Sequence, residues 1–309
     1  MYNIHQQVTD QIIAELKNGV RPWVKPWSQT PGLNIACNAV TGRPYSGVNT
    51  LLLFATHGKY PTARFVTFKQ AQAAGGNVRK GEHGHMVVFV GRATKKEQNP
   101  GEAPGSYTFV KSYTVFNVSQ CDGLPDKLTA IPAGPNMERR DELLQEFIRQ
   151  IGARVAEVVT SDKAYYSLGS DSITMPAFRS FVNQTHYYAT LFHELVHWSG
   201  HPSRLDRYVQ LTKRFDRDAF IAEELIAELG AAFLCAEFSI DGHTPQAATY
   251  ISQFIGPLEA DSRLIFAAAS KAQDAVDFLR QRLLADSPVS VVAATAPTDT
   301  GAMALGGLS

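Results

Sequence analysis

The chain has 309 residues, 29 Lys+Arg against 29 Asp+Glu, and 44% apolar content, which excludes wholesale disorder. It holds no apolar run of the ~18 residues that a membrane span needs, so no membrane partner is expected. The balanced charge hides a split: residues 1–130 carry 14 basic and 7 acidic side chains, and residues 131–309 carry 15 and 22. Such asymmetry suggests two modules with different partners, the basic one suited to a polyanion. The start Met1-Tyr2-Asn3 lacks a signal-peptide layout. Cys37, Cys121 and Cys235 lie far apart with no CxxC pair, which argues against a disulfide framework or a cysteine zinc site and for a reducing cytoplasm.

Val8, Ile12, Ile13 and Leu16 predict a helix that stops at Asn18-Gly19. Pro22 to Trp27 reads as an extended segment bearing Trp23 and Trp27. A turn at 41–47, a short helix from Val48 to His57, and a strand at 65–68 follow. A second short helix stops at Gly75-Gly76. Met86–Val90 and Tyr107–Val118 alternate as strands do, with a polar Pro/Gly loop, Arg92 to Ser106, between them. Gly123 to Pro135 reads as a linker. Beyond it, a helix at 138–151, a strand at 154–159 and a hairpin formed by 164–166 and 172–176 lead into helices at 184–199, 217–238, 244–255 and 261–284. The Ala/Ser/Thr/Pro-rich residues 286–309 read as a disordered tail. The expected domains are therefore 1–130 and 136–285.

His193-Glu194-Leu195-Val196-His197 is an HExxH sequence inside an apolar helical run. Positions i and i+4 share a helix face, so both imidazoles can reach one ion, with Glu194 beside them as the general base. The third ligand is more open. A metzincin pattern would need His at 203, which is Ser203. His201 would lie about 12 Å from His193 along an unbroken helix, so it is a fallback. Glu224 and Glu228, at i and i+4 on a second helix with small residues, are favoured: Glu224 as ligand, Glu228 as the carboxylate that fixes a ligand His. Glu223 reads as the member of a solvated acidic face. Zinc is the expected ion, with Mn(II) or another divalent ion as alternatives. The chemistry is metal-assisted amide hydrolysis, and the strand ending at Pro176 is a candidate to line the cleft and pair with an extended peptide. His201, Tyr187 and Tyr208 are nearby polar candidates for an oxyanion donor.

The first module interleaves aromatic and basic side chains, the mixture that stacks on exposed bases and neutralises phosphates. Trp23, Lys25, Trp27, Arg43, Tyr45, Lys69, Arg79 and Lys80 are the candidate contacts with single-stranded DNA. Phe65 and Phe68 are expected in the core instead.

Several long strings carry a family resemblance: Pro22-Trp23-x-x-Pro26-Trp27, Thr41-Gly42-Arg43-Pro44-Tyr45, Val78-Arg79-Lys80-Gly81-Glu82, Tyr187 to His201, and Glu223-Glu224-Leu225-x-Ala227-Glu228-Leu229-Gly230. Up to about residue 285 the chain resembles the ArdC-type antirestriction proteins of conjugative plasmids, and its first module is similar to one in plasmid-encoded DNA primases. The resemblance implies an α+β fold of two domains: an N-terminal single-stranded DNA-binding domain, and a mainly helical, zincin-like metallopeptidase domain with a small sheet. It implies protection of incoming plasmid DNA, with His193, His197 and Glu224 as ligands and Glu194 as the catalytic glutamate. A host restriction component or another protein is the candidate substrate, a point on which the resemblance is silent. Two other readings stay open: a DNA-binding protector with a structural metal site, and a peptidase whose basic module recruits a protein.

Overall fold

The computed structural model describes residues 3–23, 35–54, 56, 59–94, 106–130, 137–208, 216–240 and 252–285. Helix α1 (Ile4–Lys17) starts where the Asn3 side chain accepts from the Gln6 amide, and it buries Val8, Ile12, Ile13 and Leu16, as the 3.6-residue spacing requires. Strand β1 (Cys37–Asn38), helix α2 (Val48–Phe54) and strand β2 (Arg64–Thr67) follow. A capping box between Thr67 and Gln70 opens α3 (Phe68–Ala73). Strand β3 (Asn77–Val78) precedes the long hairpin of β4 (His85–Thr94) and β5 (Ser106–Asn117); β6 (Cys121–Asp122) and α4 (Asp126–Thr129) follow. The main sheet has order β1-β2-β5-β4, and β3 pairs with β6.

The second domain contains α5 (Met137–Ile151), β7 (Arg154–Val158), β8 (Tyr165–Ser167), β9 (Ser172–Pro176), α6 (Gln184–Ser199), α7 (Arg217–Glu237), α8 (Ile255–Ala260) and α9 (Leu264–Ala285). Its sheet has order β7-β9-β8. The result is the α+β, two-domain architecture expected, with a mainly helical second domain.

The domains share one apolar core. Val8, Ile12, Leu16, Leu51, Phe54 and Val88 of the first belong to the same buried cluster as Phe192, Leu195, Leu225, Leu258 and Leu279 of the second. Polar contacts cross the boundary too: Thr9 Oγ1 donates to Ser262 O at 2.8 Å, and Lys17 pairs with Glu259 at 2.7 Å. Such a continuous interface holds the two parts as one body, unlike the polar, movable junctions between loosely joined domains.

Four expectations change. Strand β9 is central over Ser172–Thr174, where Ile173 faces Val155 on one side and Tyr166 on the other, and at Met175–Pro176 it pairs with β7 alone, so among the described residues only that end of β9 offers an edge to a peptide. The expected linker is structured up to residue 130, because Leu124 and Leu128 pack with Val66, Ala71 and Val118. Phe65 is buried as expected, but Phe68, the first residue of α3, is 48% exposed. Strands β4 and β5 run further into the expected loop than alternation suggested, to Thr94 and from Ser106. The expected helix at 244–255 lies mostly, and the 286–309 tail entirely, outside the described residues.

Helices α6 and α7 cross at Gly230. A Cβ there would stand 2.7 Å from Val196 Cγ2, and a branched valine side chain has little room to yield. Gly230→Ala is therefore expected to cost about 1–3 kcal/mol through overpacking, and Gly230→Ala with Val196→Ala should recover part of it. Chemical denaturation of the three variants checks this; full stability in Gly230→Ala alone would contradict the close crossing.

Candidate metal centre

Helix α6 begins where Asn183 Oδ1 accepts from the His186 amide at 2.9 Å. It carries His193, Glu194 and His197 toward α7, which Asp216 caps. One helical turn separates the two imidazoles, and their Nε2 atoms stand 3.1 Å apart. Across the Gly230 crossing, α7 delivers Glu224, whose carboxylate lies 3.6 Å from His193 Nε2 and 3.4 Å from His197 Nε2. Donor atoms held 2.1 Å from a tetrahedral ion sit about 3.4 Å from one another. The spacings are of that order, with Glu224 Oε2 toward His193 and Oε1 toward His197, and among the described residues His193, His197 and Glu224 form the group able to hold an ion. Two imidazoles and one carboxylate suit a divalent ion such as Zn(II) or Mn(II). Glu194 is buried beside the ligands on the same helix.

Electrostatics agree with the geometry. Burial opposes a positive His197, but hydrogen bonds and charge from Glu223 and Glu224 outweigh it and push its pKa up to about 10. Burial likewise opposes a charged Glu224, yet hydrogen bonds from His193 and His197 hold its carboxyl well below the usual range. The cluster is built to surround positive charge with carboxylate.

Two further glutamates flank the ligands. Glu228 Oε1 lies 3.7 Å from His193 Nδ1, the place expected of it. Its other oxygen faces the first domain, 3.3 Å from Arg21 Nη1 and 3.1 Å from Trp23 Nε1. Glu223 corrects the sequence reading. It is buried, not solvated, and Glu223 Oε1 lies 3.4 Å from His197 Nδ1. Arg207 holds it there, with Nη2 2.8 Å from the same oxygen. Each imidazole thus has a carboxylate on the side of its far nitrogen, at 3.4 Å for His197 and 3.7 Å for His193, the side from which outer carboxylates orient histidines around metals.

The loop after α6 supplies Arg207 and must fold back tightly to do so. Gly200 permits this, because a Cβ there would lie 2.9 Å from both Arg207 Nη2 and Tyr208 Cε2. Arg204 closes the loop, donating to Trp198 O at 2.7 Å and stacking 3.9 Å above the Trp198 ring. His201 is no ligand in this geometry: its Nδ1 lies 2.7 Å from Ser203 Oγ and accepts from the Ser203 amide. Tyr187 donates to Glu157 and Tyr208 to His197 O, so both candidate oxyanion hydroxyls have other acceptors.

The expected DNA contacts scatter. Trp23 is 1% exposed and packs edge-on against Phe254, so it belongs to the core and cannot stack on a base there. Arg43, Lys69 and Lys80 are exposed, and Tyr45 is half-buried against a small core cluster. Arg79 is paired with Glu82 and Asp122. Lys25 and Trp27 lie outside the described residues. A different aromatic surface stands out on the β4–β5 hairpin, where Phe89, Tyr107 and Tyr113 are each about half exposed.

A family model described as the N-terminal domain of anti-restriction factor ArdC matches residues 2–116, and one described as a zincin-like metallopeptidase matches residues 142–271. The metal-free crystal structure of antirestriction ArdC protein from the R388 plasmid matches with a TM-score of 0.76 and 37% identity, over 92% of this chain and 99% of that one. The chain belongs to the ArdC family of antirestriction proteins. The Mn(II)-bound structure of the same ArdC protein matches with a TM-score of 0.74 and 36% identity, over 93% of this chain and 100% of that one. DNA primase TraC of Escherichia coli is 37% identical over 293 residues, covering 89% of this chain but only 27% of the primase. Among the described residues, no helix of this ArdC-family chain is long and apolar enough to cross a membrane.

Proposed function

We propose that this ArdC-family chain protects incoming plasmid DNA by binding it as a single strand through residues 1–130 and by hydrolysing a protein through the metal site of residues 136–285. The observation that carries the peptidase half is the convergence of His193, His197 and Glu224 within one ion's reach, with Glu194 buried beside them. A divalent ion held there supplies Lewis acidity toward an amide carbonyl and toward water. Glu194 takes a proton from the attacking water and later gives it to the leaving amine. Glu223 and Glu228 hold His197 and His193 in orientation. A host restriction component is the proposed substrate, in the cytoplasm. The basic excess of the first domain and the DNA-related names of its relatives support the single-strand reading.

One observation favours a second reading. Glu228 ties the metal's surroundings to Arg21 and Trp23 of the first domain, so the ion could serve to lock the domains of a non-catalytic DNA-binding protector. Incubating the protein and Mn(II) with a denatured protein mixture, and reading new N-termini by mass spectrometry, separates the two. New termini that vanish with chelator support the peptidase; none under any condition supports the protector.

A further inference from the structure

We propose that the single strand lies along an aromatic ladder on one face of the β4–β5 hairpin, an assignment that rests on the single-strand reading above and specifies its site. The register pairs Val87 with Tyr113, Phe89 with Lys111, Gly91 with Phe109 and Ala93 with Tyr107. Paired residues share a face and alternate residues repeat it. Tyr113, Phe89, Phe109 and Tyr107 therefore form a continuous row, with successive ring centroids 6.4, 6.1 and 6.5 Å apart. Lys111 Nζ sits 5.2 Å from the Phe109 ring centroid.

The ring face is open from Phe89 outward, whereas Val87 on the same face is buried in a small core cluster with Phe65 and Val115. Strand β2 pairs with β5 only at Val115–Asn117, so most of the hairpin has no third strand among the described residues. On the opposite face Val88 is buried while Val90 is 55% exposed, and the Asn49 side chain bonds both the C=O and the N–H of Val88 at the outer edge of β4. Gly91 keeps the row continuous, since a Cβ there would come 2.4 Å from Phe109 and 2.8 Å from Phe89.

Half-exposed rings need a partner that offers flat apolar faces, and the charges say which. Neither strand contains Asp or Glu, and Lys111 stands on the ring face itself, opposite Phe89, so the surface complements a polyanion. Steps above 6 Å are nearly twice the ~3.4 Å rise between stacked bases of a duplex. They suit an extended strand whose bases are separated and free to stack on side chains, and a duplex hides those base faces.

Fluorescence anisotropy of labelled oligo(dT), with the full chain at low salt, tests the assignment. Phe89→Ala and Tyr113→Ala should each weaken binding ~5- to 150-fold, the range for losing one base–ring stack. Tyr113→Phe, which keeps the ring, should bind like wild type. Lys111→Gln should flatten the salt dependence by roughly 0.7 in log–log slope. Thermal melting and Mn(II) content of each variant serve as fold controls. If wild type binds and both alanine variants bind equally well while folded, the ladder is not the site, although the single-strand reading stands. Variants that turn a dimer into a monomer with unchanged DNA affinity would assign the face to a second copy and overturn the proposal. No binding by wild type would remove the single-strand reading itself.

Discussion

Glu194→Gln is expected to lower peptide hydrolysis by roughly 10²–10⁴-fold, the usual contribution of a positioned general base, while Mn(II) content and oligonucleotide affinity stay at wild-type levels. Glutamine keeps the shape of the buried side chain and removes its capacity to accept a proton. The proposed ligands His193, His197 and Glu224 are untouched, so a loss of metal in this variant would mean that Glu194 binds the ion. The same protein separates the two halves of the function. If Glu194→Gln still protects transferred plasmid DNA, DNA binding carries antirestriction; if protection disappears with DNA and metal binding intact, proteolysis is the effector.

The second large effect concerns the junction between domains. Arg21 and Glu228 form an ion pair in which both side chains are 6% exposed. Removing one partner of so buried a pair leaves the other charge poorly compensated, which costs about 3–5 kcal/mol. Arg21→Met should therefore lower the unfolding free energy by that amount. Glu228→Ala should do the same and also loosen His193, weakening metal affinity by roughly 10–100-fold as loss of an outer carboxylate does. Trp23→Phe removes the N–H bonded to Glu228 and also part of a ring buried against Phe254, so it should lower stability through both losses. Denaturant melts and chelator competition measure both quantities. Arg21→Met with undiminished stability would show that the pair contributes nothing to the junction.

The metal helices were legible because their signals are local. HExxH lies in an apolar run with Asn183 before it, and Glu224 and Glu228 are spaced one turn apart beside Gly230. The role of Glu223 was not legible, because it depends on Arg207, 16 residues earlier, folding across it. A carboxylate looks solvated in sequence until its distant cation is known. Trp23 misled for the same reason: the groups that bury it, Glu228 and Phe254, lie over 200 residues away. The β4–β5 ladder had a local signal in the alternation of Tyr107, Phe109, Lys111 and Tyr113. Alternation defines a face but does not say whether another layer covers it: on this face Val87 is buried, and Phe89, Tyr107 and Tyr113 are exposed. The position of β9 between two partners was hidden too, since β7 joins it in parallel from across a crossover.

The most direct test of the account is the Mn(II) stoichiometry of wild type, Glu224→Ala and Glu223→Ala after dialysis against the same trace-metal buffer. One ion per chain in wild type, close to none in Glu224→Ala, and a weakened but present ion in Glu223→Ala is the expected pattern. Full occupancy in Glu224→Ala with loss in Glu223→Ala would exchange their roles and contradict the metal centre described above.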